Sequence, residues 1–330
     1  MKVIKILLNT FLGLVLIIIW SRFVNLGEIF QTISKVSLLG LMPVFLFMLA
    51  SSVIRAIRLQ FFLSEIKKIS LLDLIYLNGA SQMLNFLIPI RMGEIAKGVY
   101  LNTKYGLHLG KSVVWVFLDR FVDFLAVLAL ASLLLVIIPT SLSITIITII
   151  IVILAFALVL TYLAVFQTDF SKKLVQILMP LLIEKHIKIY FEQITSFILE
   201  SFSILRRHPR NLLLLIIITI LAYGADAAIW YFTFTALGFP QNYLSMYLGQ
   251  LLSALTYLIP AAPGYIGSAE ASGLLVLSGI LGINPNLASA MTVLFHITSA
   301  IFILVFGLFS VFSLKIDLGL ILKKALRKGN

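Results

Sequence analysis

The sequence predicts an all-α polytopic membrane protein, with about six full spans and two re-entrant, Pro/Gly-broken helical hairpins set in inverted repeats. Three observations carry this. Hydrophobic residues make up 61% of the chain and charged residues 12%, against about half and about a quarter in a soluble domain. Apolar runs such as 141–166 and 211–237 exceed the roughly 20 residues a helix needs to cross hydrocarbon. Two further apolar regions are interrupted by Pro and Gly at matching places. The short alternating segments of a membrane β-barrel are absent.

Taken in order, the full spans fall at 3–20, 38–62, 111–138, 141–166, 211–237 and 286–314. Lys2 and Lys5 precede the first as they would in a signal peptide, but Trp20, Ser21 and Arg22 make a poor cleavage site, so it is read as an uncleaved span. The third and fourth are joined by the uncharged turn at Pro139 and Thr140. Residues 167–210 are basic yet carry Phe170, Leu174, Ile177, Phe191, Ile194 and Phe197 at helical spacing. They read as an amphipathic connector on an anionic cytoplasmic leaflet. Residues 315–330 form a basic tail. The net charge of +12 is thus a matter of cytoplasmic loops. The basic residues form no patterned patch, so nucleic acid is not an expected partner. Cysteine is absent, which removes disulfides, thiolate nucleophiles and Cys-ligated metals.

The broken regions run over 71–100 and 243–281. The string LNFLIPIRMGEI (84–95) lies against LTYLIPAAPGYI (255–266), and 105–121 runs beside 281–297. Residues 38–138 and 211–314 are therefore read as two repeats inside one transmembrane domain, 1–330. If each broken region dips in and returns, every strongly basic segment falls on the cytoplasmic side, with both termini. Full crossings would put the 167–210 stretch outside. Interrupted segments at matching places in inverted halves point to a transporter's midplane site.

Charges that stay in hydrocarbon must pair or face a cavity. Arg55 and Arg58 lie three apart in the second span. Asn85, Arg91 and Glu94 surround the first break, with Pro89 and Gly93 as its breakers. Asp119, Arg120 and Asp123 sit inside a long apolar helix. Glu270 follows the second break, made by Pro260, Pro263, Gly264 and Gly267, and Asp226 lies mid-span. The bland alternative is internal pairing, Asp123 with Arg120 and Glu94 with Arg91, while Arg55 and Arg58 snorkel to the surface. Glu270 has no basic neighbour in its segment and needs a remote cation or a proton. Backbone N–H groups freed at the second break offer an anion site. His296 aligns with Arg120 across the repeat; a satisfied core histidine is an equal reading. The GLHLGKS string at 106–112 is one residue short of a Walker loop and follows no strand. No cofactor or metal is expected.

At these residues the chain resembles the lysylphosphatidylglycerol synthase transmembrane-region family. The carrying segments are IRAIRLQFFL (54–63), NFLIPIRMGEIAKGVYL (85–101), SVVWVFLDRFVD (112–123) and PAAPGYIGSAEA (260–271). The resemblance implies a flippase-type region that handles membrane lipids with anionic or zwitterionic head groups. Members act beside aminoacyl-lipid synthases or polyprenyl-phosphate glycosyltransferases, so either is a possible partner. With no soluble aminoacyltransferase domain before Asn330, the expected activity is translocation of a phosphate-bearing lipid. Its head-group contacts are expected from Arg55, Arg58, Asn85, Arg91, Glu94, Asp119, Arg120, Asp123 and Glu270. A membrane-embedded enzyme on a lipid phosphate, or a subunit serving a glycosyltransferase, are the rival classes.

Overall fold

The computed structural model describes residues 2–64, 67–88, 92–166, 209–256 and 262–316. Pro89, Arg91, Pro260, nearly all of the 167–210 connector and nearly all of the tail lie outside the described residues. Every regular element among the described residues is helical. In order these are α1 (Lys2–Ser21), α2 (Leu26–Ile33), α3 (Met42–Leu63), α4 (Leu71–Leu87), α5 (Met92–Tyr105) and α6 (Leu109–Ile137). There follow α7 (Ile144–Phe166), α8 (Pro209–Ala236), α9 (Tyr243–Thr256), α10 (Ser268–Gly273), which continues as a π turn (Leu274–Ile280), and α11 (Pro285–Leu314).

Three segments, Leu39–Leu63, Leu213–Ala236 and Pro285–Leu314, are long and apolar enough to cross a bilayer, and α1 with α2 makes a fourth if that bent pair is one span. In α6, Asp119, Arg120 and Asp123 interrupt the apolar run, leaving Asp123–Ile137 as its apolar part. The sequence reading had no element between 20 and 38; α2 fills that gap, turned 92° from α1. Asn25 starts it, its side chain accepting from the Gly27 and Glu28 N–H groups at 3.0 and 3.3 Å. Ile29 is buried and Phe23 and Phe30 are exposed. Trp20 ties the corner down by donating to Ser289 Oγ at 3.0 Å.

The packing runs in reciprocal pairs. α3 lies along α8; α4 packs on α3 and α11; α9 packs on α8 and α6. α5 lies on α6, and α10 with its π turn lies on α11. Small residues allow close approach where lipid supplies little hydrophobic drive. A Cβ on Gly79 of α4 would stand 2.3 Å from Ser310 Oγ, and one on Gly307 of α11 would stand 2.4 Å from Met83 Cβ. The largest buried cluster sits around Trp230, Phe234, Met246, Leu248 and Leu251.

Each broken region closes on itself. In the first, Asp73 in the first turn of α4 accepts from Lys104 Nζ at 2.6 Å and from the Tyr105 hydroxyl, both in the last turn of α5. Asn85 bridges the break, its Oδ1 accepting from the Gly93 N–H at 2.8 Å. In the second, Leu281 comes back beside Gly249 of the incoming arm, which also packs on Trp230 of α8, and the Ser141 N–H donates to Ile280 O at 3.0 Å. The contacts of Tyr105 and of Ser141 lie near opposite ends of α6, a helix about 43 Å long at 1.5 Å per residue. Next to the breaks the regions meet: the Phe86 ring lies 6.1 Å from Tyr265 and 6.4 Å from His296.

Candidate functional site

Helical spacing builds the site. Ser51, Arg55 and Arg58 recur at intervals of four and three and so share one face of α3; Asp119 and Asp123 are four apart on α6; Thr219, Tyr223 and Asp226 stripe α8 in the same way. The α3–α8 pairing and α6 bring these stripes together. Arg58, with its side chain only 1% exposed, forks onto Asp119 through Nε and Nη2 at 2.9 and 3.1 Å. Its Nη1 donates to Asp123 Oδ1 at 2.5 Å and to Thr219 Oγ1 at 3.2 Å. Arg55 donates to Asp226 Oδ2 at 2.5 Å, lies 3.6 Å from Asp123 and sits over the Tyr223 ring, 5.1 Å from its centre. Ser51 donates to the other Asp226 oxygen at 2.5 Å.

Arg120 continues the network toward the first break. It reaches Asp119 at 3.2 Å, Asp123 at 3.5 Å and Glu94 at 3.8 Å. Its side chain is 31% exposed, and its Nε–H finds no hydrogen-bond acceptor among the described residues. Glu94 also lies 3.4 Å from Lys97, a lysine whose side chain is 5% exposed. Four cations, Arg55, Arg58, Lys97 and Arg120, thus meet four carboxylates, Glu94, Asp119, Asp123 and Asp226. Among the described residues these eight charges balance when all are ionised, and pairing is the condition under which charge persists in a low-dielectric interior.

The second break carries a separate cluster. Gly264 and Gly267 hold φ of +68° and +81°, the left-handed region that glycine enters without strain. A Cβ on Gly267 would lie 2.0 Å from Gly13 O of α1. The Gly267 N–H, expected to be open to an anion, donates instead to Glu270 Oε2 at 2.7 Å. Glu270 Oε1 lies 2.6 Å from His296 Nδ1, and His296 Nε2 lies 2.7 Å from Gly264 O.

Of the residues singled out from the sequence, Arg55, Arg58, Glu94, Asp119, Arg120 and Asp123 share the network, joined by Asp226. Asn85 caps α5 across the break. Glu270 stands in the second cluster with His296. Arg58 is sealed against four acceptor atoms and does not snorkel. Glu94 lies beside Arg120 and Lys97; Arg91, the partner considered for it from the sequence, lies outside the described residues. Sequence reasoning missed Lys97, Ser51, Thr219 and Tyr223. Lys97 had a signal, a cation three residues after Glu94 in an apolar setting; the other three had none.

Long apolar helices around a buried network of paired charges define a multi-pass membrane protein with a polar site inside its bundle. The chain belongs to the lysylphosphatidylglycerol synthase TM region family, whose model matches residues 3–307. A search of curated proteins finds no match.

Proposed function

We propose that this protein is a lipid translocase that moves a phosphate-bearing lipid, an aminoacylated phospholipid or a polyprenyl-phosphate-linked carrier, between leaflets. The observation that carries the reading is Arg120: its side chain is 31% exposed, its Nε–H finds no hydrogen-bond acceptor among the described residues, and Glu94, 22% exposed, lies beside it. A head-group phosphate offers two acceptors to a guanidinium fork and displaces Glu94, which keeps Lys97. Arg91, three residues before Glu94 in the sequence, supplies a second fork. Arg55 and Arg58, bound to carboxylates, hold the framework. The acyl or prenyl tails stay in lipid while the head group follows the polar path between the breaks.

The reciprocal packing supports inverted repeats. If α3, α4 and α6 correspond to α8, α9 and α11, the α4–α11 contact maps onto α9–α6, and α3–α4 onto α8–α9. In the proposed topology α1, α3, α6, α7, α8 and α11 cross the membrane, and α4–α5 and α9–α10 are re-entrant hairpins from opposite faces. Both termini are cytoplasmic. The family supports a lipid substrate. The test is reconstitution of purified protein in liposomes with labelled phosphatidylglycerol, aminoacylated phosphatidylglycerol and polyprenyl phosphate. Exchange of one class above empty liposomes, lost in Arg120→Met, is expected. No exchange by folded protein moves the reading to a subunit serving a glycosyltransferase or lipid synthase.

A further inference from the structure

We infer that Glu270 and His296 form a one-proton site that latches the second hairpin to α11 and couples its movement to proton binding and release. The inference rests on the translocase reading for its purpose, but its chemistry stands on the geometry. A backbone carbonyl only accepts. The contact of His296 Nε2 with Gly264 O at 2.7 Å therefore places a hydrogen on Nε2. Nδ1 then faces Glu270 Oε1 at 2.6 Å, and one proton must lie in that bridge. Either imidazolium donates to carboxylate, or carboxylic acid donates to neutral imidazole. Both forms carry the same single proton and the same net charge of zero.

Without that proton, a lone pair on Nδ1 meets a carboxylate oxygen, and two acceptors cannot share a hydrogen bond. A neutral imidazole has one N–H for two acceptors, so either the bridge to Glu270 opens or the hydrogen moves to Nδ1 and the bond to Gly264 O is given up; one of the two ties between α11 and the hairpin is lost. The proton leaves to water in the polar path and returns from water when the path faces the other leaflet, so the step needs no other reactant. The turn is joined to what would move: Gly267 packs against Gly13 of α1, and Tyr265 against Phe86 beside the first break.

Among the described residues, the other elements around the pair bring little charge. α1 presents Gly13, α4 presents Phe86, and on α10 itself Ser272 bonds Ser253 of α9. Tyr265 is the nearby titratable side chain on the hairpin. Neither Glu270 nor His296 makes another ion pair among the described residues. A pair serving only to fasten two helices has no need of an acid–base bridge, since an amide and a carboxylate would do the same. Histidine is the side chain whose ordinary pKa allows proton exchange near neutrality.

The test uses the full chain in proteoliposomes with a labelled phospholipid that the protein moves, under an imposed pH difference. Coupling to one proton sets a steady leaflet ratio of about tenfold per pH unit. In Glu270→Gln and His296→Gln, whatever movement remains should relax to an even distribution. Infrared difference spectra of the protein across a pH step should show, in the native chain, a change that both Glu270→Gln and His296→Gln remove. Movement by the native chain to an even distribution despite the gradient overturns the proton site and leaves the translocase standing. If no lipid moves, the translocase reading fails, and the infrared change alone decides: its presence supports the proton site and its absence overturns it. The native-chain measurements decide even where a variant fails to fold.

Discussion

Replacing Arg58 with methionine, which keeps much of the side chain's length, separates the two kinds of arginine in the network. Arg58 is 1% exposed and satisfies Asp119 twice, Asp123 once and Thr219 once. Removal leaves Asp119 and Asp123, 5% and 9% exposed, with Arg120 at 3.2 and 3.5 Å and Arg55 at 3.6 Å from Asp123. Breaking a buried pair from one side costs about 3–5 kcal/mol, which is roughly a 10²- to 4 × 10³-fold change in the folding equilibrium at about 1.4 kcal/mol per decade. The assay is reversible unfolding in mixed micelles, followed by far-UV circular dichroism. The double variant with Asp119→Leu should recover part of the loss, because it removes the stranded carboxylate along with its partner. Arg120→Met, at a 31% exposed position, should cost much less stability while abolishing lipid movement. A loss below about 1 kcal/mol for Arg58→Met, the range of a solvated pair, would refute the division into framework and ligand-facing arginines.

Topology can be mapped with single cysteines, since the native chain has none: probes at Thr140 and Leu281 should label from outside, and probes at Lys68, Tyr105 and Lys172 only from inside. External labelling at Tyr105 would end the re-entrant model. Arg91→Ala and Glu94→Ala should abolish lipid movement at normal expression, and Arg91→Lys should lose most of it, as scored in the liposome assay; unchanged rates would make these charges structural. Gly267→Ala combines a φ of +81° with a Cβ 2.0 Å from Gly13 O and should lower the yield of monodisperse protein on size exclusion, whereas alanine at Gly279, which meets only Leu275 at 3.7 Å, should not.

Composition and run length were enough for the membrane class, and Pro and Gly marked both breaks, because the cost of polar backbone in lipid leaves few arrangements. The charged residues were visible for the same reason. Their partners were not. Arg55 finds Asp226 from 171 residues away, and Glu270 finds His296 from the following helix. Such pairings depend on how α8 and α11 are rotated about their axes, and long apolar helices fix that rotation weakly because almost every face is greasy. The nearest-neighbour pairing considered from the sequence, Asp123 with Arg120, is present at 3.5 Å but is the weaker contact; Arg58 holds Asp123 at 2.5 Å. Helix α2 escaped notice because eight residues give too short a periodic signal, although Asn25 followed by Glu28 is a start signal of the capping kind.

On the translocase reading, the pairing in the network constrains how a lipid head group can be handled. Arg55, Arg58, Lys97 and Arg120 each already face a carboxylate, so an arriving anion has to exchange with one of those residents. Glu94 is the resident proposed for exchange because it is the most open of the three: its side chain is 22% exposed beside Arg120 and Lys97, while those of Asp119 and Asp123, bound by Arg58, are 5% and 9% exposed. Exchange of one carboxylate for one phosphate oxygen leaves the cation's electrostatic environment nearly unchanged, so the bound and empty states stay close in energy. Tight binding would trap the lipid midway, since a ligand shifts an equilibrium only by its differential affinity for the two states. Glu94→Gln should therefore slow release more than binding, giving lipid that co-purifies with the variant in larger amount than with the native chain. Equal amounts in both would remove Glu94 from the exchange.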